Sequence, residues 1–317
     1  MSFEILGTGS YVPERVVTND ELSNYVETSD EWIVKRVGIR ERRVCTSETT
    51  ADLGYLAAKN ALENSNTAPE DLDLILAATV SGDSVSPSLA CMIQKKLGAT
   101  CPAYDVNAAC SAFLFLLETA AGYFARKKVK KVLVVGAERM SRIVDWEDRS
   151  TCVIFGDGAG AAVLGEGEGY LSSKLFSDGG DDVICIPTPG GKSPFYQGEE
   201  TVPYVMMKGQ ETFKFAVGAM CRDVLEVMED AGISKEELAY IIPHQANQRI
   251  LDFAGKRLGI PMEKIFMNID RLGNTSSASI PIAIDELNRN GQLKKGDLVV
   301  LTAFGGGLSS AACVIRW

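Results

Sequence analysis

Two stretches of this 317-residue chain repeat each other at long range. "PEDLDLI" around Leu72 is echoed by "KEELAYI" around Leu238, an offset of 166, and "KVLVVGA" around Leu133 by "GDLVVLTA" around Leu298, an offset of 165. A pattern that returns in the same order predicts two strand-and-helix units of one design, and 317 residues suffice for two related cores of roughly 150 residues each. The predicted division is 1–170 and 171–317.

The runs themselves predict the class. Short, nearly continuous apolar stretches occupy 73–80, 103–107, 131–138 and 152–155, then 239–244, 297–304 and 311–317. Such runs suit strands covered on both faces, and the longer amphipathic segments between them suit the covering helices. Capping-box spacing marks helix starts at Thr18 with Glu21, Thr28 with Glu31 and Ser234 with Glu237. The expectation is an α/β fold.

Composition removes several function classes. The net charge is -10 and the pI near 4.9. Non-specific nucleic-acid binding needs a dense positive surface and is excluded as an expectation. The eight cysteines form no CxxC pair, and one histidine cannot complete a usual metal cluster, so neither a disulfide framework nor a structural metal is expected. "MSFEILGTGSYVP" has no secretory pattern and no later stretch has some 18 uninterrupted apolar residues, which predicts a cytoplasmic protein away from the membrane.

Three polar residues stand at junctions where chemistry is possible. Cys110 in "DVNAACSAFLFLLETA" lies where a strand-like run gives way to a helix-like one. A free cysteine is often core filling, but a helix start also directs unpaired N–H groups at a side chain and favours thiolate. Adding 165 to 110 reaches 275, beside Asn274 in "GNTSSASIP", a second polar-to-apolar helix start; in a duplicated fold these two starts would face each other. Asn274 is equally an ordinary cap. His244 ends the run "YIIP", where crevices open in covered sheets, and it is compatible with a satisfied structural residue as well as a catalytic one. The glycine-rich "FGDGAGA" (155–161) and "FGGGLSS" (304–310) lack the spacing of nucleotide-binding loops. The first reads as a tight turn after a strand, and the second has backbone N–H groups suited to an oxyanion.

Cys110 in "NAACSA", His244 in "PHQAN", Asn274 in "GNTSSAS", "FGDGAGA" and "AFGGG", in this order across the whole chain, resemble the β-ketoacyl-acyl-carrier-protein synthase III family of the thiolase superfamily. The resemblance implies a duplicated five-layer α-β-α-β-α fold and an initiating condensing enzyme of type II fatty acid synthesis. Such an enzyme joins an acyl-coenzyme A primer to malonyl-acyl-carrier protein with loss of carbon dioxide, through an acyl-cysteine on Cys110 and with no bound cofactor. It also implies an oxyanion hole from the N–H groups of Cys110 and Gly306, His244 and Asn274 as donors to an enolate, and Phe304 keeping the site dry. Trp32 and Arg149 resemble the pair that sandwiches adenine, Arg36 a residue near the coenzyme's phosphates, and Phe213 and Asn247 tunnel lining.

Ser86 stands where some members of the family carry phenylalanine in the acyl pocket, which predicts tolerance of longer or branched primers. Lys214, Arg249, Lys256 and Arg257 resemble a basic rim for the acidic carrier protein. The apolar runs at 85–98 and after Cys110, with the family's pairing of sheets, imply a homodimer. Competing readings are a condensing or acyl-transferring enzyme of a secondary metabolite pathway, a thioester hydrolase using the same cysteine and histidine, and a non-catalytic binding subunit.

Overall fold

The computed structural model describes residues 2–188, 194, 195, 202 and 204–317. The first sheet contains β1 (Ser2–Tyr11), β2 (Leu74–Ala78), β3 (Ala103–Asp105), β4 (Lys131–Arg139) and β5 (Asp157–Gly167) in the order β1-β5-β4-β2-β3. The second contains β6 (Tyr170–Ser177), β7 (Leu238–Pro243), β8 (Leu298–Gly305) and β9 (Ser309–Arg316) in the order β7-β8-β9-β6. Read from opposite ends, the two sheets have one topology. β2 runs parallel to β4 as β7 does to β8, and the pairs β4–β5 and β5–β1 are antiparallel as β8–β9 and β9–β6 are.

The repeat holds to within one residue of register. Leu76 faces Val134 in the first sheet and Ile241 faces Val300 in the second. Among the described residues the second sheet has no counterpart of β3, but Ile265 forms a single parallel bridge to Ile241 on that side.

Seven longer helices complete the layers: α1 (Asp30–Val37), α2 (Thr50–Asn64), α3 (Leu89–Leu97), α4 (Ala112–Ala125), α5 (Gly209–Asp230), α6 (Gln248–Leu258) and α7 (Ser279–Arg289). α4 and α7 lie between the sheets. α4 buries Phe113, Leu114, Leu116, Leu117 and Phe124, spread around its axis, as a helix covered on all sides must. α2 and α3 cover the outside of the first sheet, and α5 and α6 the outside of the second. The result is the duplicated five-layer α-β-α-β-α arrangement.

Small residues set how closely these layers approach. α2 buries Ala51, Gly54, Ala57, Ala58 and Ala61 on one face, at helical spacing. Opposite them, a Cβ on Gly9 would lie 2.2 Å from the Ala61 nitrogen, so this strand position requires glycine. A capping box starts the helix: Thr49 Oγ1 accepts the Asp52 N–H and the Asp52 carboxylate accepts the Thr49 N–H.

Several local expectations change. Thr18 caps only the single turn Asn19–Leu22. The cap of α1 is Ser29, one residue after Thr28, and its hydroxyl accepts the Trp32 N–H at 3.2 Å. Glu237 does accept the Ser234 N–H and O–H, but the chain then enters β7 because Leu238 onward pairs with β8.

Residues 152–155 are no strand. Gly156 N–H donates to the Asn274 carbonyl, and the sheet begins only at Asp157. "FGDGAGA" is accordingly the start of β5 rather than a turn. Its close packing is real: a Cβ on Gly160 would meet the Ile282 nitrogen of α7 at 2.6 Å. Asp157 is buried and accepts from Cys45 N, Ser141 N and Ser141 Oγ.

Candidate active site

The nucleophile candidate sits on a short 3₁₀ turn, Ala109–Ser111, ahead of α4. A matching turn, Ser276–Ala278, precedes α7, and the two turns pack together. Ala109 (φ 48°) and Ser276 (φ 50°) both adopt the left-handed conformation, which a residue with a side chain enters only at some cost. The two helix starts thus face each other as the repeat predicts, at an offset of 167 rather than 165. Behind Cys110 lies Gly305, where a Cβ would fall 2.7 Å from the Cys110 nitrogen. The glycine-rich end of β8 therefore presses against the nucleophile turn.

Cys110, His244, Asn274 and Gly306 line one cavity of about 700 Å³, a volume suited to a substrate-sized ligand. Cys110 keeps part of its surface open to this cavity but is otherwise ringed by protein. Burial pushes its thiol up to about 12; the Glu138 carboxylate acts in the same direction, while the Ser276 hydroxyl and the cysteine's own N–H favour thiolate. Burial thus outweighs the expected help of a helix start, and the resting group is a thiol that needs a base. The Ser276 hydroxyl is buried and has no hydrogen-bond partner of normal geometry, although it stands beside this sulfur.

His244 is 1 % exposed, and burial lowers its pKa to about 3, so the imidazole is neutral. β7 delivers it: its N–H donates to the Thr302 carbonyl at 2.8 Å, continuing the β7–β8 ladder. Nδ1 lies 2.7 Å from Ser279 Oγ, the first residue of α7. The Phe304 ring meets the imidazole edge-on, with centroids 5.4 Å apart, and is itself buried. Phe304 thereby covers one flank of the histidine and keeps water from it.

Asn274 braces the turn that precedes α7. Its Oδ1 accepts the Ser276 N–H at 2.8 Å, and its backbone is tied to Ile154 and Gly156. With Oδ1 engaged, the side-chain NH₂ is the end available to the cavity. Beneath this turn Glu138, fully buried, accepts from Val80 N, Ser81 N, Ser81 Oγ and Ser277 Oγ, and burial raises its pKa. Nothing in the spacing marked Glu138 or Ser279; a charged residue ending an apolar strand was the one available hint for the former.

The remaining candidates separate. Trp32, Arg36, Phe213, Lys214, Asn247 and Arg249 all line the cavity. Asn247 caps α6, accepting the Arg249 N–H, and donates to the Arg36 carbonyl. Arg249 lies over Phe213 at 5.9 Å. Arg149 lies over the Trp32 ring at 5.0 Å, closer than the roughly 7 Å that two stacked contacts around a base require. This pair is closed on itself.

Lys256 and Arg257 are exposed in the last turn of α6, about 10 Å along the helix from Arg249 and on the same helical face, and do not line the cavity that Lys214 and Arg249 line. Ser86 is exposed, next to Val85 at 91 % exposure, and does not line the cavity of its own chain. The apolar wall comes instead from Val80, Met140, Val153, Ile154, Phe155, Ile186, Val205 and Met207. Residues 152–155, misread as a strand, are thus partly cavity wall. Among the described residues no group of three or more His, Cys, Asp and Glu is placed to hold a metal ion, and no helix is long and apolar enough to cross a membrane.

Comparison with known proteins agrees with this geometry. Residues 104–179 match 3-oxoacyl-[acyl-carrier-protein (ACP)] synthase III and residues 228–317 match its C-terminal region. The chain is 49 % identical to the β-ketoacyl-[acyl-carrier-protein] synthase III of Clostridium acetobutylicum over 100 % of this chain and 99 % of the relative. Its fold superposes on the 3-oxoacyl-[acyl-carrier-protein] synthase III of Aquifex aeolicus with a TM-score of 0.94 at 44 % identity, covering 99 % and 100 % of the two chains. The corresponding values for the Thermus thermophilus enzyme are 0.93 and 43 %, with 99 % of each chain covered. With a nucleophile turn, a neutral histidine and an oriented asparagine converging on one cavity, and relatives aligned end to end, the chain belongs to the 3-oxoacyl-[acyl-carrier-protein] synthase III family.

Proposed function

We propose that this chain initiates type II fatty acid synthesis by condensing an acyl-coenzyme A primer with malonyl-acyl-carrier protein. The observation that carries this reading is the meeting of Cys110, His244 and Asn274, from three separate segments, on one cavity. The half 1–170 supplies the nucleophile and the half 171–317 supplies the donors.

The chemistry follows from the resting charges. Neutral His244 takes the proton of the Cys110 thiol as the sulfur attacks the thioester carbonyl, and coenzyme A leaves. The N–H groups of Cys110 and Gly306 hold the tetrahedral oxyanion. Malonyl thioester then loses carbon dioxide, and the charge passes to its thioester oxygen. His244 and the Asn274 NH₂ donate to that enolate, each contributing about 3 kcal/mol in the transition state. The enolate carbon attacks the acyl-cysteine and releases the thiolate. Phe304 keeps water from competing, and no metal or bound cofactor takes part.

Trp32, Arg36, Arg149, Phe213 and Asn247 bind the coenzyme or the carrier's pantetheine arm, and Arg249 with Lys214 faces the acidic carrier. The protein works in the cytoplasm as a homodimer, which light scattering tests against the 34.2 kDa mass of one chain. A thioester hydrolase needs an oxyanion hole and a base but no second enolate donor, so the oriented Asn274 amide favours condensation.

Mass spectrometry after mixing with acetyl-coenzyme A, then with malonyl-loaded carrier, tests the reading. The chain gains an acetyl group on Cys110 and loses it as 3-oxoacyl product forms. Cys110→Ser abolishes the adduct, while His244→Ala still acylates measurably and fails to condense. An adduct on another cysteine overturns the assignment.

A further inference from the structure

Ser279 lies at the one place where the two half-reactions make opposite demands. Taking the thiol proton requires a bare Nε2 on His244, with the ring proton on Nδ1. Donating to the enolate requires the proton on Nε2, with Nδ1 bare. These are the two neutral tautomers, and the partner of Nδ1 decides between them. A backbone carbonyl there would accept only and a backbone N–H would donate only, so either would hold one form.

The partner here is a hydroxyl. Ser279 Oγ stands 2.7 Å from Nδ1, and both residues are buried, at 2 % and 1 % exposure. A hydroxyl rotates, so it accepts from Nδ1–H or donates to a bare Nδ1. The Gln245 N–H donates to the same oxygen at 3.3 Å, anchoring it in either state. Gln245 in turn donates through Nε2 to the carbonyls of Pro243 and Phe266, and its Oε1 accepts the Asn268 N–H, so the anchor is itself fixed.

Resting on the condensing reading above, we infer that Ser279 is a positioning residue that lets His244 adopt one neutral tautomer for acylation and the other for condensation. In acylation the thiol proton passes to Nε2 and then to the departing coenzyme A thiolate, leaving the Nδ1–H form. Before condensation the ring changes tautomer, one proton leaving Nδ1 and one arriving at Nε2, with no net change in charge. In the second form the Ser279 O–H donates to Nδ1, and Nε2–H faces the enolate oxygen.

The chain has one histidine, so protein labelled with ¹⁵N-histidine reports this ring alone. Spectra are recorded on the wild type before and after acetylation of Cys110, and on Ser279→Ala and Ser279→Thr. The expected result is a wild type whose tautomer population differs between free and acetylated enzyme, and a Ser279→Ala variant with one population in both states. That variant also loses about tenfold in one half-reaction more than in the other, the worth of one buried hydrogen bond, while Ser279→Thr retains the wild-type pattern. A wild type with the same single tautomer in both states overturns the inference even if Ser279→Ala fails to fold. Equal loss in both half-reactions with unchanged tautomers overturns it as well. If the wild type forms no acetyl adduct on Cys110, the condensing reading itself falls and takes this one with it.

Discussion

Asn274 accepts the Ser276 N–H through its side-chain oxygen at 2.8 Å, and this one bond turns a helix-start asparagine into an oriented donor. The same residues that make an ordinary polar turn present an NH₂ to the cavity, so capping and chemistry are two uses of one geometry. Asn274→Asp keeps the shape and the acceptor but removes the donor. Condensation, followed by release of labelled carbon dioxide from malonyl carrier, falls about 10²–10³-fold. Acetylation of Cys110 changes less than about tenfold, since the lost donor serves the enolate.

His244 carries a pH signature of its own. Its folded pKa of about 3 lies below the ordinary 6.5, so the stability due to its neutral burial is fully present above pH 6.5 and is lost as pH falls toward 3. By pH 4.5 this amounts to roughly 2–3 kcal/mol. Urea unfolding at pH 7.5 and 4.5 therefore shows a smaller acid penalty in His244→Gln than in the wild type. Condensation rates of the wild type show no inflection near pH 6.5, because the imidazole does not titrate there.

Primer choice follows from the cavity wall rather than from Ser86. The cavity of about 700 Å³ has valine, isoleucine and methionine side chains in its wall beside the polar and charged ones, and isobutyryl-coenzyme A is expected to acylate Cys110 within about tenfold of acetyl-coenzyme A. Val153→Trp narrows the wall and shifts the ratio toward acetyl. Parallel assays with acetyl, isobutyryl and octanoyl thioesters read this directly, and activity confined to acetyl in the wild type would refute it.

Arg249 stands exposed at the mouth, over Phe213, on a protein of net charge -10. Arg249→Glu raises the Michaelis constant for malonyl carrier about tenfold at low salt, and the difference shrinks as salt screens the contact. Acetylation from coenzyme A changes less. Because Lys256 and Arg257 lie off the cavity, reversing either of them has a smaller effect than Arg249→Glu.

What the sequence determined by itself is the scaffold and which polar residues are candidates for the site. The apolar runs at 73–80, 131–138, 239–244 and 297–304 became β2, β4, β7 and β8, and the repeat of about 165 residues became the like parallel pairing of Leu76–Val134 and Ile241–Val300, within one residue of register. Cys110, His244 and Asn274 were legible because each is a polar residue at a strand end or helix start, and such junctions are local features.

The tertiary structure decided the rest. The run 152–155 has strand composition but serves the cavity, because Gly156 is held by Asn274, over a hundred residues away in the chain. The Cys110 thiol rises to about 12 and the His244 imidazole falls to about 3 through desolvation by residues from both halves, which overrides the helix-start field that local sequence suggested. Trp32 and Arg149 close on each other, and a serine reaches His244 from 35 positions further along. Periodicity and capping act over a few neighbouring residues, whereas burial, ring contacts and the partner of a given nitrogen depend on which distant segments the fold brings within a few ångströms.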